Sequence, residues 1–309
     1  MNNDLAPVVL FVYNRPLHTQ QTIDALQKNV WASSSELFIY SDQAKSEDVQ
    51  ENVDKVRSLI ALITGFKKIT VINREKNFGL ANSIIDGVSK VVKEYGKVIV
   101  LEDDLVTSPY FLKFMNESLD FYKNENRVWH ISGWNYPIDA DGLDDVFLWR
   151  LMNCWGWATW ENRWRYFEKN TDKLIGEFSK QQVKYLNLDG TNDAWAQVIS
   201  NKQNKISTWA VYWYATIVKN RGLCLNPAKT FVQNIGLDGS GMNCGIDNSY
   251  FDLLSKKHVI TYSTSFEENE LALQKVKYFF ESNKISFLTK IINRIKRALN
   301  AKLYQEKNP

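Results

Sequence analysis

Cysteine is nearly missing from this chain, with Cys154, Cys224 and Cys244 as the whole complement. An odd number, widely spaced and without any CxxC, argues against a disulfide framework and against a cysteine zinc site. A reducing, cytoplasmic setting is therefore the expectation. Also missing is any apolar run long enough to span a bilayer. The opening Met1-Asn2-Asn3-Asp4 is polar and acidic, unlike the basic and then apolar start of a secretory leader. Neither sign of charge prevails: 38 Lys and Arg stand against 35 Asp and Glu, so no bulk field favours nucleic acid. Tryptophan is what the chain has in excess. Ten of its eleven lie between Trp129 and Trp213, either as core or as faces on which sugar rings stack. At 309 residues the chain can bury a substantial core, as one large domain or a domain with an appendage.

The most informative stretch is Leu101-Glu102-Asp103-Asp104-Leu105. It closes the apolar, β-branched run from Lys97 to Leu101, which reads as a strand buried on both faces. Ser108 as N-cap and Pro109 at the first helical position then predict a helix over Tyr110 to Tyr122. Three adjacent acids repel one another unless a cation is shared among them. A hard divalent metal suits oxygen ligands, and such a metal usually carries a nucleoside diphosphate. Ligands of open α/β sheets bind outside the carboxyl ends of strands, which is where these acids fall.

Three more strand–loop–helix units precede the acids, with strands at 7–12, 37–40 and 69–72. That alternation predicts a parallel sheet covered by helices on both faces. The loops after the strands share one side of it and carry Asn14 and Arg15, Asp42, then Arg74 and Asn77. Together they suggest a nucleotide pocket, with Asp42 suited to a base or ribose and Arg74 to a phosphate. Further strands are expected at Val128–Gly133 and Phe147–Arg150. The acid-rich run 139–145 lacks calcium-loop spacing and reads as a solvated turn. Trp157, Trp160, Trp164 and Phe167 fall at helical spacing and suggest a core-facing helix. Glycine-rich Asn234–Gly241 could fold over a nucleotide as a lid. From Ile285 to Leu303 an apolar stripe is backed by Lys and Arg with no acid between Lys284 and Tyr304. Such a basic amphipathic helix fits an anionic membrane surface, or the protein's own core.

These residues together resemble a GT-A glycosyltransferase. The likeness is to the N-acetylglucosaminyltransferase of the N-glycan pathway and its bacterial sugar-transferase relatives. It rests on the Tyr13–Pro16 turn, Asn77-Phe78-Gly79-Leu80, the strand ending in Glu102-Asp103-Asp104, the Trp155–Trp160 box and Asn234–Gly241, and it covers about Pro7 to Cys244. The resemblance implies a Rossmann-like, mostly parallel sheet flanked by helices, with an aromatic-rich acceptor region and a C-terminal amphipathic helix. The nucleotide half would be 1–106, the acceptor half 107–262 and the basic tail 263–309. It implies that Asp104 holds Mn2+ or Mg2+, and that Asp103 lies at the catalytic centre beside the donor's ribose and diphosphate. Donor contacts would come from Asn14, Arg15, Asp42, Arg74, Asn77 and Glu102. The reaction would invert the anomeric centre of a UDP-linked sugar and pass it to a glycan or lipid-linked glycan of the cell surface. Two departures stand out. Met242-Asn243-Cys244 replaces a common Thr-His-Cys, and Trp209-Ala210-Val211-Tyr212 has no acid where the family's base region falls. Asp193, beside Trp195, is then the candidate base, followed by Glu161 and Asp189. A nucleotidyltransferase shares the sheet and metal, but it would normally have a glycine-rich phosphate loop in place of Tyr13–Pro16. A non-catalytic carbohydrate-binding relative is the other alternative.

Overall fold

Apolar, β-branched segments alternating with amphipathic helices build the first half of the chain in a computed structural model that describes residues 4–240 and 249–284. Strand β1 (Val8–Val12) is buried along its whole length and leads to α1 (Pro16–Gln27), where Pro16 starts the helix with its φ already set. Then follow β2 (Glu36–Ser41), α2 (Gln50–Ile60), β3 (Lys68–Asn73), α3 (Leu80–Tyr95) and β4 (Lys97–Glu102). Gly96, at φ +75°, ends α3 in a left-handed turn that few other residues accept. The four strands are parallel in the order β3-β2-β1-β4, with Val8 opposite both Leu37 and Ile99. Their carboxyl ends therefore open on one edge of the sheet.

The second half extends the sheet. After β5 (Leu105–Thr107) and α4 (Phe111–Phe121) come β6 (Val128–Ser132), β7 (Val146–Trp149) and β8 (Trp157–Trp160). Four short helices and a longer one follow: α5 (Glu161–Trp164), α6 (Thr171–Glu177), α7 (Lys180–Leu186), α8 (Trp195–Lys202) and α9 (Ala210–Lys219). Strands β9 (Leu223–Pro227) and β10 (Val232–Asn234) complete them. The eight-stranded order is β3-β2-β1-β4-β8-β6-β9-β7, in which β8 and β7 run against the rest. Short β10 pairs antiparallel with β5, just beyond the acids.

The expected helix through Trp157 and Trp160 is instead strand β8, wedged between β4 and β6. All four of its residues are buried, Trp157 under one face and Ala158 and Trp160 under the other. A strand covered on both faces shows no alternation, so the chance spacing of its tryptophans imitates a helix. Helices α1, α2 and α4 cover one face of the sheet, while α3 and α9 cover the other with most of the tryptophans.

Residues 263–284, the described part of the expected tail, pack on the sheet. Asn269 N donates to Leu148 O at 2.7 Å, Arg150 Nε bonds Glu268 Oε1 at 2.8 Å, and Ala272, Leu273 and Val276 are buried. The basic stretch 285–303 lies outside the described residues, as do Met242-Asn243-Cys244. No helix among the described residues is long and apolar enough to cross a membrane.

Candidate active site

Strand β4 delivers Glu102 to the carboxyl edge of the sheet, and Asp103 and Asp104 turn the chain into β5. Arg15, at the head of α1 on the neighbouring unit, reaches both aspartates: its Nη2 is paired with Asp103 Oδ1 and lies 2.8 Å from Asp104 Oδ2. Asp103 is buried. It also accepts from Tyr13 N at 3.3 Å, and its carbonyl takes the Thr22 hydroxyl at 2.9 Å. Burial pushes the Asp103 carboxyl up to about 6, with Arg15 pulling against it. Burial, then Asp104 and Asp103, drive Glu102 up to about 8. For Arg15 burial works to lower the pKa, but the two aspartates outweigh it and hold the guanidinium firmly protonated. The turn is therefore a cluster of carboxylates that one guanidinium only partly neutralises.

A loop after β10 closes over this cluster. Ile235 N donates to Asp104 O at 2.9 Å, and a Cβ on Gly236 would stand 2.1 Å from Asp104 Oδ2 and 2.8 Å from Arg15 Nη1. Only glycine allows so close an approach. Two residues on, Asp238 Oδ2 sits 3.1 Å from His18 Nε2, tying the loop to the first turn of α1. Hydrogen bonds from Ser240, and then the His18 contact, bring Asp238 down to about 2. The sequence reading had Gly236 and Asp238 within the expected lid but gave neither a role of its own, and it missed His18. The glycine-rich run pointed at the loop, but nothing in it pointed at the histidine 220 residues earlier.

The other expected donor contacts divide. Asn14 and Arg15 lie on the turn between β1 and α1, beside the acids. Asp42 accepts four hydrogen bonds: from Phe78 N and Gly79 N at 2.8 Å each, Gln43 N at 3.0 Å and Asn77 Nδ2 at 3.3 Å. A carboxylate has about four lone-pair sites, so Asp42 here fastens the head of α3 and is filled in doing so. Asn77 also donates to Gln43 O at 2.6 Å. Arg74 is paired with Asp86, with its guanidinium 4.2 Å from the Phe78 ring and 4.9 Å from that of Tyr40. It braces α3, and the structure brings Arg15 to the acids in its place.

None of the three proposed bases joins them. Trp160 pairs with Lys97, the first residue of β4, and Glu161 N donates to Gly96 O at 2.9 Å. Glu161 is thus level with Gly96, six residues from Glu102, or roughly 20 Å down the strand at 3.3 Å per residue. Asp189 is bound 3.2 Å from Arg150 Nη1 and 2.7 Å from Lys277 Nζ. Arg150 follows Trp149, which pairs with Cys224 near the amino end of β9. Burial would raise Asp189, yet the Lys277 and Arg150 contacts outweigh it and hold it below the usual carboxylate range. Asp193, exposed in the same connection, accepts from Asn187 Nδ2 and Ala196 N at 3.2 Å each. Trp209–Tyr212, at the start of α9, is core.

Among the ten clustered tryptophans, eight are buried, leaving Trp155 and Trp195 partly exposed. Trp195 stacks on Phe178. Trp155 lies in the bend just before β8, whose first residue Trp157 is opposite Val100. Trp134 and Tyr250 meet the Trp155 ring edge-on at 4.5 and 5.8 Å.

The donor set suits a hard divalent cation, because oxygen ligands carrying excess negative charge converge at Asp104. No group of three or more metal-binding side chains closes a cage among the described residues. Protein carboxylates would thus supply one or two ligands, and phosphate oxygens and water the others, as is usual for Mg2+.

Residues 8–191, more than half of the chain, match glycosyl transferase family 2. No curated protein matches the sequence. Among solved structures, TarS of S. aureus is similar at 16% identity over 38% of this chain and 20% of that one, with a TM-score of 0.27. Its 1–349 portion in complex with UDP gives 12% identity over 74% and 59%, at 0.40. Mannosyltransferase PcManGT from Pyrobaculum calidifontis, in complex with GDP-Man and Mn2+, gives 9% over 70% and 72%, at 0.38. The chain thus spans a fifth of TarS and 59% of its shorter form. On the family match the chain belongs to glycosyl transferase family 2, and its mostly parallel, helix-flanked sheet is the GT-A fold.

Proposed function

We propose that the chain moves a hexosyl or N-acetylhexosaminyl group from a UDP-linked donor to a glycan or lipid-linked glycan, with inversion at the anomeric carbon. The observation that carries this reading is the Glu102–Asp104 turn at the carboxyl end of β4, gripped by Arg15 and roofed by Gly236. Asp104 is the residue that would hold Mn2+ or Mg2+, and that ion would offset charge developing on the departing diphosphate. Asp103 faces the ribose and diphosphate, Asn14 and Arg15 the phosphates. Asp42 and Asn77 shape the nucleotide's end of the cleft through the loop they hold.

Proton removal from the acceptor hydroxyl falls to His18. Asp238 Oδ2 holds its ring at this end of the sheet, and an imidazole nitrogen can accept the proton. Trp155 offers a face for an acceptor sugar ring. The basic stretch 285–303 would bring the enzyme to an anionic membrane surface bearing lipid-linked acceptors. Incubating the protein with radiolabelled nucleotide sugars and Mn2+ tests the reading. Release of free sugar from a UDP donor supports it. Turnover of none of them, with UDP binding intact, favours the non-catalytic carbohydrate-binding alternative.

A further inference from the structure

One oxygen in the site is contested. Asp104 Oδ2 is 2.8 Å from Arg15 Nη2, and the same nitrogen is paired with Asp103 Oδ1, so one guanidinium group joins both carboxylates. Gly236 leaves room beside that same oxygen only by lacking a side chain, since a Cβ there would stand 2.1 Å from it. The other terminal nitrogen of Arg15, Nη1, is buried without a hydrogen-bond partner. A buried, unpaired N–H on a cation is costly, and a phosphate oxygen is the partner it fits best. Charge points the same way. Two carboxylates and one guanidinium leave a single negative charge, which a lone divalent ion would overshoot. A diphosphate arriving with the ion restores the balance.

We propose that Arg15 is a resident counter-cation that is exchanged during donor binding. It neutralises Asp103 and Asp104 until a nucleoside diphosphate draws its guanidinium onto the phosphate oxygens, and Asp104 is then released to the divalent ion. Ion and diphosphate consequently bind as a pair, and each binds weakly alone. This rests on the reading that Asp104 is the metal ligand, and it adds a binding order that the reading does not contain.

Mn2+ alone, without nucleotide, is titrated into the full chain and followed by its electron paramagnetic resonance signal. UDP is titrated separately by calorimetry in EDTA. The Arg15→Gln variant should bind Mn2+ alone at least tenfold more tightly than wild type, and UDP in EDTA at least tenfold more weakly. A gain in metal affinity is something a damaged fold does not produce. Should Arg15→Gln fail to fold, Arg15→Met, which keeps an apolar stem but removes the cation that Nη2 places between the two carboxylates, should show the same gain. Equal Mn2+ affinity in wild type and variant overturns the exchange, as does low-micromolar Mn2+ binding by wild type alone. If wild type binds neither UDP nor Mn2+ with UDP, the underlying donor-site reading fails instead.

Discussion

Replacing Gly236 by alanine puts the account under direct stress. The new Cβ would lie 2.1 Å from Asp104 Oδ2 and 2.8 Å from Asp104 Cγ and Arg15 Nη1, whereas ordinary contact begins at 3.4 Å. Something must therefore shift by about 1 Å, and the candidates are the loop and the Asp104 carboxylate. Misplacement by that amount at a reacting centre costs roughly 100-fold in rate. Stability should respond far less. The main casualty is the Ile235 N to Asp104 O hydrogen bond, worth about 1 kcal/mol or roughly 2 °C in Tm for a domain of this size. Gly176→Ala is the control: it sits in α6 with nothing within 4 Å of its added methyl, so it should be neutral or slightly stabilising. The assay is release of labelled sugar from a UDP donor, beside a thermal melt. Wild-type turnover in Gly236→Ala would show that the loop does not roof the catalytic site. A fall in Tm of 10 °C or more would show that it is a structural strap.

Three further outcomes follow from other parts of the molecule. His18→Gln should cut sugar transfer by about 10²–10⁴ while UDP affinity stays within twofold; unchanged transfer would remove His18 as the base, and lost UDP binding would make it a donor contact. Burial holds His130 down at about 3, against an ordinary value of 6.5. Between those values the unfolded chain binds a proton that the folded one refuses, so stability is complete above pH 6.5 and falls at about 1.4 kcal/mol per unit below it. Glu102 and Asp103, raised in the folded state, slope the other way over this range, so the quantity to read is the difference in urea midpoint between wild type and His130→Gln from pH 7.5 to 5: it should change with that slope, and a difference independent of pH contradicts the burial argument. A chain ended at Glu281 keeps the buried Ala272, Leu273 and Val276, so it should stay folded and hydrolyse donor yet no longer sediment with anionic vesicles. Full-length protein that ignores such vesicles at low salt would end the membrane proposal.

What could be read in advance follows from where each residue leaves the sheet. The four parallel strands were legible because burial on both faces makes them continuous apolar runs, each ending in a polar loop. The rule that ligands gather at carboxyl ends then located Glu102, Asp103 and Asp104. Glu161 went astray by another route: Trp157–Trp160 was not read as a strand, and β8, being antiparallel, delivers its following residue to the opposite edge. Nothing in local sequence marks β8 as antiparallel. Strands β5 and β10, three residues each, are too short to show a period. Arg15 and Arg74 were equivalent as loop arginines, and only packing separates one against the acids from one held by Asp86 and two aromatic rings. Asp189 was an open acid in sequence, but Arg150 and Lys277 reach it from 39 and 88 residues away.

The claim on which the rest depends is that Asp104 anchors a metal–diphosphate pair. Calorimetric titration of UDP, with and without Mn2+, into wild type and Asp104→Asn tests it most directly. Wild type should bind UDP at least tenfold more tightly with Mn2+, and Asp104→Asn should bind it weakly and equally under both conditions, with turnover down at least ~100-fold. An Asp104→Asn protein that retains the full Mn2+-dependent gain in UDP affinity would contradict the assignment.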